Sequence, residues 1–243
     1  MRINVISLER TPERLAEFRR LNGHLKHVVV FKAVDGATLS QDHLAARGVI
    51  VPPIHYTNGT LGSMMSHTAL WEHAARSGEI TTVCEDDAIF NLAFEARALE
   101  LIGTLPDDTD IIYWGWNFDA HNAIELIPGM SPCVTGFGKN PLPNEIAPFQ
   151  NCPIRPVALR LLCAFGIICY TVTLAGARRL RELCLPVRGE TWEFPEIKVR
   201  IANVAVDVGM CNALPRIKGF CSFPPLVMSL NDPNQSLNLR RQP

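Results

Sequence analysis

No sign of charge prevails in this 243-residue sequence: 23 lysines and arginines stand against 24 aspartates and glutamates. A chain so balanced lacks the basic face that nucleic-acid binders present to phosphate, and at most a peripheral contact with an anionic membrane is expected. Charged residues are only 19% of the total and apolar ones 47%, which excludes a disordered chain. Paired cysteines are missing as well. The eight cysteines fall singly, at 84, 133, 152, 163, 169, 184, 211 and 221, with no C-x-x-C among them. That excludes a zinc knuckle and a disulfide scaffold and points to reduced thiols in the cytoplasm. Met1-Arg2-Ile3-Asn4 leads straight into an alternating segment, so no signal peptide is expected. There is no G-x-S-x-G elbow, no P-loop and no G-x-G-x-x-G, which removes the common hydrolase, NTPase and dinucleotide-binding readings. Neither an internal repeat nor a linker is found, and one domain over 1–243 is the expectation.

What the sequence does hold is an alternation of strand and helix patterns. Arg2 to Leu8 reads as a strand. Thr11 then offers an N-cap, Pro12 occupies the first helical position, and Leu15, Phe18 and Leu21 recur at helical spacing. His27 to Ala33 is a second β-rich run, ending in the turn Val34-Asp35-Gly36. Helical patterns cover a short stretch capped by Ser40, then Leu61 to Ala75 and Asn91 to Ile102; strand patterns cover Ile80 to Cys84 and Asp110 to Trp114. This order implies an α/β fold with a mostly parallel central sheet and helices on both faces. Between Arg160 and Arg178 runs an uncharged stretch, Leu161 to Ala177, at the lower limit of a bilayer span. Its first half is β-branched and aromatic, and Ala175 to Leu183 carries its arginines on one face. A buried strand turning into a surface helix is the better reading. The Pro-rich stretch 118–156 reads as one long loop, a binding element or lid. The tail 224–243 reads as an irregular arm.

Three constellations could carry chemistry. Glu85-Asp86-Asp87 directly follows an apolar strand, where open α/β sheets bind ligands. Three adjacent carboxylates repel one another unless a cation lies among them, and hard divalent ions favour such oxygens; alternatively, two of them cap the helix that follows. Leu61-Gly62-Ser63 opens a helix whose first N–H groups, with Ser66 and His67, would meet an anion, unless Ser63 is an ordinary N-cap and His67 a buried histidine. Arg10 and Arg14 crowd a helix N-terminus where cations oppose the dipole. For Arg14, Asp35 or a ligand phosphate is the expected partner. Cys84, Met64 and Met65 look like core fillers.

In order, these features resemble glycosyltransferase family 25, which holds lipooligosaccharide and collagen galactosyltransferases. Asn4-Val5-Ile6-Ser7-Leu8-Glu9-Arg10-Thr11-Pro12-Glu13-Arg14-Leu15 is similar to its opening segment, and Phe31-Lys32-Ala33-Val34-Asp35-Gly36 to its F-x-A-V-D-G. Ser66-His67-Thr68-Ala69-Leu70-Trp71 looks like its S-H-x-x-L-W helix, Glu85-Asp86-Asp87 like its EDD strand end, and Tyr170 with Gly176-Ala177-Arg178 like a later element. The resemblance implies a single GT-A-like, Rossmann-type domain. It implies Mn²⁺ or Mg²⁺ on Glu85, Asp86 and Asp87, holding the diphosphate of a UDP-sugar, UDP-galactose above all. Ser7, Arg10, Arg14, Asp35, Ser66 and His67 would lie around the nucleotide. Inverting transfer needs a carboxylate base, for which Asp207 at the end of the apolar run Val204-Ala205-Val206 is chosen over Glu193, Glu196 and Asp232. The acceptor implied is a glycan hydroxyl, that of lipopolysaccharide in particular and so one carried on a lipid, reached from the cytoplasmic face of the membrane. The loop 118–156 would shape the acceptor site, with Trp116 and Phe118 stacking on a sugar and Trp114 in the core. A non-catalytic nucleotide- or glycan-binding module and a sugar-nucleotide hydrolase are the alternatives.

Overall fold

The β-rich runs of the sequence become strands in the computed structural model, which describes residues 1–231. In chain order the strands are β1 (Ile3–Ser7), β2 (Val28–Lys32), β3 (Ile50–Val51), β4 (Thr81–Glu85), β5 (Ile89–Phe90), β6 (Ile111–Gly115), β7 (Asn122–Glu125), β8 (Cys133–Thr135), β9 (Val157–Cys163), β10 (Cys169–Val172), β11 (Val187–Arg188), β12 (Thr191–Phe194), β13 (Val199–Ala202), β14 (Gly219–Phe223) and β15 (Val227–Met228). The α-helices are α1 (Pro12–Leu21), α2 (Gln41–Ala46), α3 (Asn58–Ser77), α4 (Phe94–Ile102), α5 (Ile146–Asn151), α6 (Leu174–Cys184) and α7 (Val206–Ala213).

Nine strands form the central sheet, in the order β2-β1-β4-β10-β6-β14-β9-β7-β8. β2, β1 and β4 are parallel, as are β6 and β14. β10, β9 and β8 run against their neighbours, so six of the nine strands point the same way. The fold is α/β with a large mixed sheet, as the alternation implies. Because successive strand residues face opposite sides, each strand feeds two cores. Val83, Ile111, Tyr113, Tyr170 and Val172 pack with Leu61, Trp71, Leu180 and Met210 of α3, α6 and α7. Ile3, Val5, Cys84, Ile112 and Trp114 pack with Phe18, Phe94 and Ala98 of α1 and α4. Fully burying a side chain such as Ile3 or Phe94 contributes about 1.5–3 kcal/mol, so both faces are strongly held.

The uncharged run 161–177 is the end of β9, a loop, β10 and the start of α6. No helix among the described residues is long and apolar enough to cross a membrane. The stretch 118–156 is more regular than the sequence suggests: it holds the β7–β8 hairpin and the short α5. Its strands are brief and its prolines hide their period, which is why the pattern reads as loop. In the tail, β15 pairs with β5; residues 232–243, Asp232 among them, lie outside the described residues.

Helix α3 begins earlier than its apolar spacing suggests. Thr57 caps it, accepting from the Thr60 N–H, so Gly62, Ser63 and Ser66 lie inside the helix. The expectation of free N–H groups at Leu61 to Ser63 is therefore overturned, since those donors are spent on intrahelical bonds. Gly62 serves contact instead. A Cβ there would stand 2.6 Å from the Val34 carbonyl oxygen and 2.7 Å from the Gly36 nitrogen, so α3 seats directly on the turn after β2.

Candidate active site

Three parallel strands end side by side, and the residues that follow them meet. Arg10, just beyond β1, places its Nε 2.9 Å from Asp35 Oδ2, beyond β2. Arg14, in the first turn of α1, reaches the other way: Nε donates to Asp86 Oδ1 at 2.7 Å, and Nη2 lies 2.6 Å from the same oxygen. The partner expected for Arg14, Asp35, is thus taken by Arg10, because β1 lies between β2 and β4 and the two arginines divide its neighbours. Ser7 Oγ donates to Asp86 Oδ2 at 2.8 Å, so both oxygens of Asp86 are held. Burial works against the Arg14 charge, but the bond to Asp86 and the adjoining carboxylates outweigh it and hold the guanidinium above its ordinary pKa.

The flanking members of the triplet are held less tightly. Asp87 Oδ2 accepts from Ser229 Oγ at 3.0 Å, while Oδ1 is buried without a hydrogen-bond partner among the described residues. Burial raises the Asp87 carboxyl above the usual range, with Arg14 and Ser229 opposing. Glu85 lies 4.0 Å from His67 Nε2. Burial, then repulsion from Asp87 and Asp86, pushes Glu85 up to about 8.

Asp207 faces the same cleft, but from the first turn of α7 rather than a strand end. Val204-Ala205-Val206 is apolar because it leads into a buried helix, and only its composition resembles a strand. Asp207 Oδ2 accepts from the Gly166 N–H at 3.1 Å and Oδ1 from the Val208 N–H at 2.9 Å. Burial raises its pKa against those donors. Gly166 is required there: its φ is +83°, and a Cβ would stand 2.4 Å from the Asn117 side chain. Glu193 lies on β12, and Glu196 follows that strand; neither lines the cleft.

The cleft has a volume of about 670 Å³, within the range of ligand sites. Arg10, Arg14, Ser66, Glu85, Asp86, Asp87 and Asp207 all line it. Ser7 and Asp35 stand behind that wall, bound to Asp86 and Arg10. Ser66 Oγ is occupied, donating to the Gly62 carbonyl at 2.8 Å and accepting from the Val34 N–H at 2.8 Å. His67 is fully buried outside the lining, and burial pushes its pKa down to about 3, so the ring is neutral. Trp116, expected to stack on a sugar, is buried and stacks on Phe223 with centroids 6.5 Å apart. Phe118 stacks on Phe137 at 3.8 Å.

Glu85 and Asp87 suit a hard divalent cation: their oxygens are crowded and undercompensated, and Asp87 Oδ1 has no partner. Among the described residues no three His, Cys, Asp or Glu side chains converge on one point. A cation here would take two protein carboxylates and fill its remaining positions with water and ligand oxygens, in the manner of Mg²⁺. Ser229 is the residue that sequence reasoning misses. Its place depends on the β5–β15 pairing, which no local pattern announces.

The chain matches, over residues 1–191, the model of the family described as Glycosyltransferase family 25 (LPS biosynthesis protein). It is 29% identical over 194 residues to a rat protein named probable inactive glycosyltransferase 25 family member 3, covering 72% of this chain and 29% of that protein. It is also 31% identical to procollagen galactosyltransferase 1-B of Xenopus laevis, covering 54% and 24% respectively, and 34% identical to a glycosyltransferase 25 family member of Anopheles gambiae, covering 46% and 21%. The chain therefore spans less than a third of the length of these relatives. Asp207 and Ser229 lie beyond residue 191, where the family match ends.

Proposed function

The chain belongs to glycosyltransferase family 25, and from that membership we propose that it transfers a hexose from a UDP-sugar to a glycan hydroxyl in a divalent-cation-dependent, inverting reaction. UDP-galactose is the favoured donor, drawing on the relative named a procollagen galactosyltransferase. A lipopolysaccharide glycan is the favoured acceptor, drawing on the family's description. Transfer would take place in the cytoplasm, against the membrane that carries such an acceptor. The observation that carries the reading is the meeting of Arg10, Arg14 and the triplet in one cleft, with Asp87 Oδ1 left unpartnered.

Each residue then has a separate task. Arg10 presents positive charge to a diphosphate from beside Asp35. Asp86 is not a ligand in this scheme, since Arg14 and Ser7 hold it; it fixes the backbone from which Glu85 and Asp87 project. Those two would hold Mn²⁺ or Mg²⁺, which when bound stabilises the charge gathering on departing UDP. Asp207, raised by burial toward the range in which a carboxylate accepts protons, takes the proton of the attacking hydroxyl.

A second reading is binding without turnover, and it draws on relatives whose names include the word inactive. One experiment separates the two: UDP release from a panel of UDP-sugars with Mn²⁺, with and without glycan acceptors, beside an Asp87→Ala variant. Acceptor-stimulated, Mn²⁺-dependent release that falls at least 100-fold in the variant is expected, the scale of losing a charge-stabilising group. Release indifferent to Mn²⁺, or unchanged in the variant, overturns the proposal. UDP binding without release supports the binding module, and release indifferent to every acceptor supports a hydrolase.

A further inference from the structure

Three buried aromatic side chains form a hydrogen-bonded chain that ends beside Glu85. Trp71 Nε1 donates to the Tyr170 hydroxyl at 2.8 Å, and that hydroxyl lies 2.8 Å from His67 Nδ1. The far ring nitrogen, His67 Nε2, stands 4.0 Å from Glu85 Oε1 and has no hydrogen-bond partner among the described residues. His67, Trp71 and Tyr170 are each 0% exposed, so the chain of hydrogen bonds is shielded from bulk solvent.

The inventory of donors fixes the direction of the chain. An indole N–H only donates, so the Tyr170 oxygen accepts from Trp71 and still carries its own proton. That proton points to His67 Nδ1, the one other partner of the hydroxyl among the described residues. A ring nitrogen that accepts carries no proton, so the neutral imidazole holds its proton on Nε2. The opposite tautomer would leave the tyrosine proton unaccepted.

We propose that His67 is a positioning residue for Glu85: its Nε2–H, fixed in place by Tyr170 and Trp71, orients the Glu85 carboxylate toward the cleft. The inference rests on the reading of Glu85 and Asp87 as cation-binding oxygens, and it moves His67 from the nucleotide contacts to the support behind the triplet. Partners that orient a metal-binding side chain typically change affinity 10–100-fold when removed.

Two measurements on the full chain test it, with Mn²⁺ alone as the binding probe. In the first, ¹⁵N-histidine spectra are recorded, and His67 is recognised as the signal that stays constant from about pH 5 to 8 and shows a through-space contact to the Trp71 indole N–H. A protonated Nε2 and bare Nδ1 are expected; the reverse overturns the inference. In the second, Mn²⁺ affinity is compared among the parent, His67→Gln and His67→Asn. Glutamine places its amide near the Nε2 position, asparagine near Nδ1. His67→Gln is expected to bind within about threefold of the parent and His67→Asn 10–100-fold more weakly. A residue that serves only Tyr170 would give the opposite order, and that order, or equal affinity in all three, overturns the inference. Should neither variant fold, the parent spectrum decides. A parent chain that binds no Mn²⁺ overturns the cation reading and this inference together, whereas a bare Nε2 in a chain that binds Mn²⁺ overturns the inference alone.

Discussion

At the scale of single residues, the site is a set of charges held where charge is costly. Asp86 is 8% exposed and Arg14 20%. Removing one partner of such a buried pair costs about 3–5 kcal/mol, because the other is left buried and unpaired. Arg14→Ala should therefore destabilise the fold by about 3 kcal/mol in urea denaturation, and Arg14→Lys by less; a change below about 1 kcal/mol for Arg14→Ala would mean that water already screens Asp86. Glu85 gives a prediction of opposite sign. The folded chain holds its proton up to about pH 8, whereas an ordinary glutamate releases it near 4.5. Between those values the folded state binds more protons at Glu85 than the unfolded one, so the contribution of this group to stability is fullest below pH 4.5 and is lost as pH rises through 8. With divalent cations chelated, Glu85→Gln should match the parent near pH 4.5 and exceed it in unfolding free energy at pH 8. A parent stability curve no steeper than the variant's would refute this.

Among elements, the closest approach is that of α3 to the turn after β2. Gly62→Ala must displace either the helix or the Val34–Gly36 turn, at a cost of about 1–3 kcal/mol. Because Asp35 sits in that turn and holds Arg10, nucleotide affinity should fall with stability; calorimetry with UDP and a thermal melt would register both. Unchanged UDP affinity would detach Arg10 from the site. The same elements show what a sequence makes legible. β1, β2, β4, α6 and the triplet's place at a strand end follow from short-range signals: period-two runs, a proline at a first helical turn, arginines on one helix face. The start of α3 is not legible, because Thr57 caps three residues of helix that carry no apolar stripe. Asp207 reads as a strand end because Val204-Ala205-Val206 suits a strand and a buried helix start equally. His67, Trp71 and Tyr170 sit in recognisable segments, yet only the packing of α3 on β10 joins them.

For the whole molecule, long-range assembly dominates. The family match ends at residue 191, but α7, β14 and β15 follow it, supplying Asp207, Ser229 and a strand between β6 and β9. A chain cut after residue 191 should show no cooperative unfolding transition and should bind a hydrophobic dye, since β6 and β9 lose their shared neighbour and the core facing α7 opens. A folded truncate with a sharp melt would place the stabilising core elsewhere. The antiparallel extension β9-β7-β8 belongs to this scale as well. The β7–β8 hairpin is local, but its attachment to the sheet through β9 pairs residues about forty apart, such as Ala123 with Cys163, so nothing in 118–156 alone announces it.

The central seat of β14 also has a consequence in time. The strand that closes the middle of the sheet spans residues 219–223, so the chain must run from β6 through α7 before that gap can be filled. Until then β6 and β9 each present an open row of backbone donors and acceptors to solvent. Folding of the chain should thus be slow for its size because its decisive contacts are non-local, and dependent on whatever shields those two edges until β14 is in place.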